Sequence, residues 1–574
     1  MLSDERTLAA RLASFDDARL ADTLVARGAS PGAPWLGFFD AAAAMLEPAS
    51  IDRALTRLPR ETLRELRRGA TPSPLADRLA LVDESGAPFA SVAERLAAAA
   101  AADPGAFEPD ATAEAVAASQ TDADAAAERA FTNLGAMADL VLAVSAIALS
   151  RTGTGSVSAI DRRRLVEAGA IVDADELDDL VTAAADAGLL RPDGRRWVVS
   201  DAGRQWLEAS TAQRWVTLIA GLRDALPRAL RTPGGGIRPP SAWPGAFPFD
   251  QAWPERAAAL GRIAVRFGLL TPGGAEPEWT RAMHDDGQID PAALIARMPA
   301  EIDRIYLQAD LTAIAPGPLA PRLDLRLHRI ARRESRAQAS SYRFSAASIA
   351  AGMTEGETAE SIREFLAGLS LTGIPQPLQY LIDSTAARHG LVRVTDDPGS
   401  SGTRVSSTDA SVIDAVAIDQ ALRPLGLVRD AEALVTRVSR DAVYWALADA
   451  RYPVIAVDTE GAAESMHRHP PLTSIEDDSP LVTYARLIAA LRAGSETESE
   501  GAWLARELEL AVRARATVVV VVRMPDASER TFTLEASGLG GGRLRGRDRG
   551  ADIERTLPVA SIVEVRPVKA GEQR

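Results

Sequence analysis

The chain has 574 residues, of which 47% are hydrophobic and 25% are charged, and its formal net charge is -15 at pH 7. This length predicts several domains with separate cores, and the composition is typical of a folded chain. Cysteine is absent, which excludes disulfides, thiolate nucleophiles and cysteine-containing zinc sites. Lys569 is the only lysine, so the chain has neither a Walker A loop nor a kinase lysine.

The negative net charge repels polyanions at long range, so any contact with nucleic acid must be local. The first residues, MLSDERTLAARLASFDD, are charged and lack the apolar core of a signal peptide, and no apolar run reaches about 20 residues. We therefore expect a cytoplasmic protein with no membrane partner. No cofactor is expected, and the absence of a nucleophile-elbow motif disfavours an enzyme.

Residues 1–130 contain leucines at helical spacing, which predict an array of helices. Within this region, residues 84–129 are rich in Ala and Asp and predict a connection that is at least partly mobile. Residues 131–150 are apolar on most of their surface and predict a buried helix.

A winged helix is predicted at residues 156–209, inside a region that spans 131–230. Two short helices precede Leu189-Leu190 and Val198-Val199, which flank an Asp-Gly turn typical of a hairpin wing. The helix expected at 173–187 would enter a DNA groove, yet it carries many carboxylates. These are Asp173, Asp175, Glu176, Asp178, Asp179 and Asp186. Because carboxylates repel phosphates, we expect this helix to pack on protein, although Arg195 and Arg196 in the wing favour the opposite interpretation.

Residues 231–300 are rich in Pro, Gly and Trp and predict an irregular connection with helices. Residues 301–458 predict an α+β domain: a strand at 304–315, a helix to about Glu334, a short strand at 342–344, two helices and the strand LVRV. Residues 459–510 predict an acidic linker and helices, and residues 511–574 predict a small β-barrel-like module. The fold class is therefore multidomain, mainly α with α+β.

Arginines cluster in the α+β region, in RLDLRLHRIARRESRAQASSYR. Spacings of three and four place four of them on one helical face that could contact a phosphate backbone, and Arg336 follows nearby. The four are Arg322, Arg326, Arg329 and Arg333. The alternative is a solvated surface paired with carboxylates such as Glu334.

A second arginine cluster lies in the tail sequence GGRLRGRDRG, as Arg543, Arg545, Arg547 and Arg549. Their period of two predicts that a strand presents all four on one side. From residue 510 to residue 574 the chain has 12 basic and 8 acidic residues, so this module is locally positive. The alternative is a flexible hairpin with solvated arginines, since Phe532 is the only aromatic residue available for stacking on bases.

Three histidines are candidate site residues. His467 and His469 have a metal-ligand spacing, but without a third ligand nearby a surface loop is favoured and no metal site is predicted. His389 ends the segment TGIPQPLQYLIDSTAARHG. Pro375 and Pro377 predict a rigid entry turn and Gly390 a helix end, which makes His389 a neighbour of the helix C-terminus rather than a catalyst.

Residues 301–458 resemble the helicase-associated domain of actinobacterial proteins that is similar to the N-terminal domain of XPB-type DNA repair helicases. The resemblance rests on the opening strand IYLQADLTAIAPGPL, the segment YRFS at 342–345 and the Pro-Gln-Pro turn leading into LQYLIDSTAARHG. The last module resembles WYL-like barrels, but VVVVVR replaces the Trp-Tyr-Leu triplet.

The resemblance implies a non-enzymatic accessory protein in DNA repair or another DNA transaction, without motor domains. Its partners would be single-stranded or forked DNA and a helicase or other protein. The alternative is a scaffold or transcriptional regulator that does not itself bind nucleic acid.

Overall fold

The computed structural model describes residues 4–69, 73–109, 115–167, 169–171, 173–336, 339–397, 402–458, 463–464, 479–497, 500–513, 515–526 and 528–567. The chain divides into two compact units. The first unit comprises residues 1–113, 242–257 and 474–574, and the second comprises residues 114–241 and 258–473. No helix of the described residues is both long and apolar enough to cross a lipid bilayer.

Helices form the N-terminal part of the first unit, as the leucine spacing predicts. They are α1 (Asp4–Ser14), α2 (Asp17–Arg27), α3 (Phe38–Leu46), α4 (Pro48–Leu55), α5 (Arg60–Arg68), α6 (Pro74–Arg78) and α7 (Ala90–Ala102). α7 buries Val92 and Leu96 in the common core. This helix lies inside the interval 84–129, where the Ala- and Asp-rich composition predicts a partly mobile connection, and its apolar residues pack in the core.

The second unit begins with a helix, a short strand, two helices and a hairpin. The elements are α8 (Gln120–Ala146), β1 (Leu149–Ser150), α9 (Ala159–Glu167), α10 (Leu177–Asp186), β2 (Leu190–Asp193), β3 (Arg196–Val199), α11 (Asp201–Glu208) and α12 (Thr211–Ala225). The strands form an antiparallel sheet in the order β1-β3-β2. Gly194 supplies the positive φ of 55° that the β2–β3 turn requires.

Residues 231–300 contain four α-helices joined by long irregular segments. These are α13 (Trp253–Arg266), α14 (Glu278–Arg281), α15 (Met283–Asp286) and α16 (Ala292–Ile295). Tryptophans hold the loops in place through buried indole N–H groups. The Trp253 indole donates to the carbonyl of Trp243 (2.7 Å), and the Trp279 indole donates to the carbonyl of Gly268 (2.9 Å).

The second unit contains an internal sequence repeat. RTGTGSV at 151–157 recurs as RTPGGGI at 231–237, and GLLRPDG at 188–194 recurs as GLLTPGG at 268–274, each 80 positions later. The backbone repeats as well: the N–H of Thr152 donates to the carbonyl of Ser156 (2.9 Å), and that of Thr232 donates to the carbonyl of Gly236 (2.9 Å). α10 and α13 therefore occupy equivalent places, each ending two residues before a Gly-Leu-Leu segment.

The next part of the second unit contains a four-stranded sheet with helices. The elements are β4 (Tyr306–Leu307), β5 (Thr312–Ala315), α17 (Pro321–Ile330), β6 (Arg332–Arg336), β7 (Ser340–Arg343), α18 (Ala346–Thr354), α19 (Ala359–Leu369) and α20 (Gln376–Ala386). The strand order is β4-β5-β7-β6.

Three sequence expectations for this part were wrong. The strand expected at 304–315 is two strands, β4 and β5, and three helices rather than two precede the next strand. The helix expected to reach Glu334 ends at Ile330, because Ala331 adopts an extended backbone and β6 pairs with β7.

A six-stranded sheet with its own core follows. Its elements are β8 (Val392–Asp396), β9 (Thr403–Ser407), α21 (Ala410–Ile418), β10 (Val428–Asp430), β11 (Ala433–Thr436), α22 (Arg440–Asp449), β12 (Val454–Val457) and β13 (Ala463–Glu464). The order is β10-β11-β9-β8-β12-β13, with β8 and β12 parallel and the other pairs antiparallel. The interval 301–458 thus contains two hydrophobic cores, one on each sheet.

The last elements belong to the first unit. They are α23 (Pro480–Thr497), α24 (Glu500–Arg513), β14 (Thr517–Arg523), β15 (Glu529–Gly540), β16 (Arg543–Asp548), β17 (Ile553–Pro558) and β18 (Ile562–Pro567). The antiparallel sheet has the order β17-β16-β15-β14-β18. It is open, because β17 and β18 are its edges and do not pair with each other in the described residues. The expected β-barrel-like module is therefore wrong in this respect.

α23 completes the core of the N-terminal helices although it lies almost 400 residues further along the chain. Leu487, Ile488 and Leu491 are buried in the same hydrophobic cluster as α1 to α7. The hydroxyl of Tyr484 donates to the carbonyl of Ala29 (2.6 Å). At Gly494, a Cβ atom would lie 1.8 Å from the carbonyl oxygen of Leu36, so only glycine allows this close approach.

Candidate nucleic-acid interface

Strand β16 presents arginines on one face of the C-terminal sheet. Outward positions alternate with inward ones, as the period of two predicts. The exposed side chains are Arg543, Arg545 and Arg547, which we call the arginine row, and the buried positions are Leu544, Gly546 and Asp548. Arg549 is also exposed but lies in the turn after the strand, outside the row.

The members of this cluster differ in their partners. Arg547 forms an ion pair with Asp552 (2.7 Å), and Arg549 forms a longer one with Glu535 (3.3 Å). Arg543 and Arg545 form no ion pair with any described residue. The row therefore has its least neutralised charge at the end of β16 that adjoins the Gly541-Gly542 turn.

Side-chain contacts on the buried face of β16 hold the strand in place. The buried carboxylate of Asp548 accepts hydrogen bonds from the N–H of Gly550 (2.9 Å) and from the side chain of Arg555. The Arg555 guanidinium lowers the pKa of Asp548 and also lies over the ring of Phe532, 4.8 Å from its centroid. The Phe532 ring is thus partly buried, with Arg555 over one face and the core of the sheet against it.

The arginines predicted to share a face of α17 are separated by the structure. Arg322 and Arg329 are exposed on α17, and Arg329 forms a long ion pair with Glu355 (3.5 Å). Arg336 ends β6, and its side chain lies outside the described part of the chain. The one-face arrangement is wrong for Arg333, which lies on β6 instead of the helix.

Arg326 is held by a bidentate ion pair. Its Nε and Nη2 atoms donate to the two carboxylate oxygens of Glu357, at 2.8 and 2.9 Å. The guanidinium also lies over the Phe365 ring, 4.5 Å from the centroid. The pair with Glu357 raises the pKa of Arg326, so this arginine stabilises the junction of α17 and α19.

Arg333 is buried between two carboxylates. Its Nη1 donates to Asp139 of α8 (2.7 Å) and its Nη2 to Asp324 of α17 (2.8 Å), and its side chain is only 11% exposed. We call these three residues the Arg333 bridge. Burial by itself would lower the pKa of Arg333, but the two carboxylates outweigh burial and raise it. The Tyr342 hydroxyl donates to Asp324 (2.5 Å), and burial together with that carboxylate raises the pKa of Tyr342.

The acidic helix of the hairpin region, α10, buries six of its ten residues. Thr182 is the only residue of α10 that is exposed. Asp178 pairs with Arg162 (2.8 Å), and Asp179 pairs with Arg262 of α13 (3.1 Å). The side chain of Asp175 is not among those described. α10 therefore packs on α12 within the protein, and two of its carboxylates are paired with arginines of the neighbouring helices α9 and α13.

Of the three candidate histidines, His389 lies among the described residues. His389 follows α20 beside Gly390, whose φ is 80°, and burial lowers the pKa of its ring. His467 and His469 lie outside the described residues, as does Lys569.

Comparison with known families links the middle of the chain to helicases. Residues 305–431 match the family described as helicase conserved C-terminal domain. The match covers the whole four-stranded sheet with its helices and extends into the six-stranded sheet. No curated protein matches the chain. The protein is therefore helicase-related in this segment, in agreement with the helicase-associated part of the sequence resemblance.

Proposed function

We propose that the protein is a non-enzymatic, helicase-associated accessory protein that contacts nucleic acid through its C-terminal sheet. The arginine row on β16 carries this proposal, because its charges are exposed on one face and two of them have no ion-pair partner among the residues that the structure describes. The helicase-type segment at 305–431 gives the row a functional context. The sole lysine, Lys569, supports a chain that has no ATPase motor of its own.

The spacing of the row suits a phosphate backbone. Alternate residues of a strand are about 6.7 Å apart, so the three guanidinium groups can follow successive phosphates of one nucleic-acid strand. Phe532 packs against the core of the sheet and carries Arg555 over one face, so the proposed contacts do not include stacking on bases. We therefore propose backbone contacts without sequence preference, to single-stranded or forked DNA in the cytoplasm.

We also propose a specific domain type for three parts of the chain. The order helix, strand, two helices and hairpin supports a winged helix, with α10 docked on protein. The two-sheet region at 301–458 would be the XPB N-terminal-like domain, acting in DNA repair or another DNA transaction. The C-terminal sheet would be WYL-like, with the valines of β14 filling its core where the Trp-Tyr-Leu triplet is missing. The proposed domain boundaries lie near residues 130, 230, 300, 458 and 510.

The experiment measures binding of the full-length chain to labelled single-stranded, forked and duplex DNA over a range of salt concentrations. The test variant is Arg543→Gln/Arg545→Gln. Neutralising two phosphate contacts should weaken binding to all three DNAs and reduce the slope of log K against log salt by about 2.

The matched control is Arg523→Gln/Arg530→Gln, which removes the same charge from the same sheet. Arg530 and the partner of Arg545, Gly538, are separated by about 26 Å of strand β15. The control should therefore keep the wild-type slope. Absence of binding at low salt, or equal loss in the two variants, would refute the proposal.

A second candidate function is a protein scaffold or transcriptional regulator that does not bind nucleic acid. The packing of α10 on α12 and the net charge of -15 favour it. A partner protein retained on the immobilised full-length chain after nuclease treatment, with no DNA binding at low salt, would support this candidate. Loss of every partner on nuclease treatment would contradict it.

A further inference from the structure

An open groove lies within the second unit, and its volume is about 3650 Å³. Two parts of the chain contribute its lining: α8, α11 and the hairpin β2–β3 from the earlier part, which we call one side, and β6, the end of α20 and the end of α22 from the later part, which we call the other side. Sites for small molecules usually have volumes of about 300–1,000 Å³, so this groove is several times too large for one. A helix about 11 Å wide that rises 1.5 Å per residue occupies roughly 140 Å³ per residue, so the groove accommodates about 25 residues of helix.

The Arg333 bridge joins the two sides of the groove. Arg333 connects Asp139 on α8 with Asp324 on α17, and all three residues line the groove. Because the guanidinium is buried and held by two carboxylates, it fixes the distance between the sides at this point. The groove is thus a preformed feature of the second unit.

The lining charges that have no ion-pair partner among the described residues differ in sign between the two parts of the chain: the carboxylates belong to the earlier part and the arginines to the later part. Most charged lining residues neutralise one another, for example Arg297 with Asp124 (3.2 Å) and Arg343 with Glu334 (2.5 Å). The exposed arginines without an ion pair among the described residues are Arg332, Arg388 and Arg451, which we call the basic wall. The exposed carboxylates without an ion pair in the same ranges are Glu128, Glu167 and Glu208, which we call the acidic wall.

Two members of the acidic wall occupy positions that do not favour helix stability. Glu167 is the last residue of α9, and Glu208 is the last residue of α11. A carboxylate at a helix C-terminus interacts unfavourably with the helix dipole. Helix stability therefore does not explain the acidic wall. By contrast, Arg388 and Arg451 follow the ends of α20 and α22, where the dipole favours a cation, so the acidic wall is the stronger indication of a binding role.

Apolar side chains lie between the two walls. Phe131 and Leu142 of α8 are half-buried, and Ile147, just after α8, is 43% exposed. On the other side the groove is lined by Leu325 and Trp445. An amphipathic segment would bury its apolar stripe against these side chains.

We propose that the groove binds a helical segment of a partner protein that carries acidic residues along one face and basic residues along the opposite face. Its carboxylates would meet the basic wall, its cations would meet the acidic wall and its apolar stripe would cover the floor. Nucleic acid fits this groove less well, because its phosphates would face the acidic wall in any orientation. The groove and the arginine row would therefore bind different classes of partner: a protein helix in the groove and nucleic acid on the row.

The experiment uses the full-length protein and two labelled synthetic helical peptides of about 25 residues with identical composition. In the bipolar peptide, Glu follows one face and Lys the opposite face, and in the scrambled peptide both charges occur on both faces. Binding is measured by fluorescence anisotropy. Because the binding free energies of several oriented charge pairs add, the bipolar peptide should bind at least about tenfold more tightly than the scrambled peptide.

Variants of each wall test the orientation. Arg388→Glu/Arg451→Glu and Glu128→Arg/Glu208→Arg should each weaken binding of the bipolar peptide by about tenfold or more. The fourfold variant that combines them should regain binding, because the same peptide can lie in the opposite direction. The control Arg322→Glu/Glu360→Arg changes exposed charges outside the groove lining and should leave the affinity unchanged.

The following results would overturn the proposal: equal affinity for the two peptides, wall variants that bind like the wild type, or a fourfold variant that stays weak while its circular dichroism spectrum is unchanged. Duplex DNA that competes with the bipolar peptide, and whose binding is lost in Arg388→Glu/Arg451→Glu, would identify nucleic acid as the occupant instead. Arg543→Gln/Arg545→Gln should leave peptide binding intact, which keeps this test independent of the DNA-binding proposal.

Discussion

Arginines on β6 and on β16 differ in role although both sequences are rich in the same residue. Arg333 on β6 is buried between Asp139 and Asp324, whereas Arg543 and Arg545 on β16 are exposed and form no ion pair with a described residue. The difference lies in the surrounding carboxylates, which come from other elements. A local cluster of arginines therefore identifies an electrostatic surface only when the folded neighbours leave its charges unpaired.

The largest loss of stability is expected when Arg333, the ion-paired arginine of β6, is replaced. Arg333→Met leaves the carboxylates of Asp139 and Asp324 without their cation, and loss of one partner of a buried ion pair costs about 3–5 kcal/mol. Denaturant unfolding measures the change. Arg322→Gln, on the exposed side of α17, is the control and should change stability by less than about 0.5 kcal/mol. Equal effects of the two variants would remove the distinction between paired and exposed arginines.

A smaller loss of stability is expected when the ion pair on the buried face of β16 is removed. Asp548→Ala leaves the N–H of Gly550 and the guanidinium of Arg555 without their acceptor, which should cost about 1–2 kcal/mol. Hydrogen exchange of the β16 and β17 amides reports the loss locally. Asp552→Ala is the control, because its partner Arg547 is exposed. Unchanged protection in Asp548→Ala would mean that the inward ion pair does not hold the strand.

The smallest effect is a dependence of stability on pH at the Arg333 bridge. Burial, and then the charge of Arg333, lower the pKa of His328, which lines the same groove. The unfolded chain therefore takes up a proton at a higher pH than the folded chain, and stability falls as the pH decreases below about 6.5.

His328→Gln should remove part of this dependence, which unfolding midpoints between about pH 7.5 and pH 5 would show. Burial lowers the pKa of His389 as well, so His389→Gln is the companion variant. The stability of the double variant should depend least on pH. A steeper loss of stability in His328→Gln would contradict the assigned pKa direction.

Local patterns predicted those features that depend on nearby residues. Leucine spacing predicted the N-terminal helices, an Asp-Gly pair predicted the β2–β3 hairpin, and the alternation of arginines predicted the exposed face of β16. Each of these signals follows from the period of a helix or a strand, or from the φ angle that a turn needs. The repeated RTxxGx and GLLxPxG segments were also readable from the sequence.

Features that depend on distant residues could not be predicted in this way. The helix α17 ends early because β6 pairs with β7, and the sequence around Ile330 has no Gly or Pro to mark that end. The partner of Arg333, Asp139, is 194 residues away. The groove likewise combines residues from separate helices and strands, so neither its walls nor its floor produces a continuous motif.

The position of α23 has a consequence for how the chain is made. The helices α1 to α7 leave the ribosome early, but the Leu487, Ile488 and Leu491 side chains that complete their core follow almost 400 residues later. At about 5–20 residues per second, the N-terminal helices wait for roughly 20–80 s with an apolar surface uncovered. Synthesis of the second unit takes place during that interval, so protection of the nascent N-terminal helices, by slow partial folding or by a chaperone, becomes a requirement of this chain order.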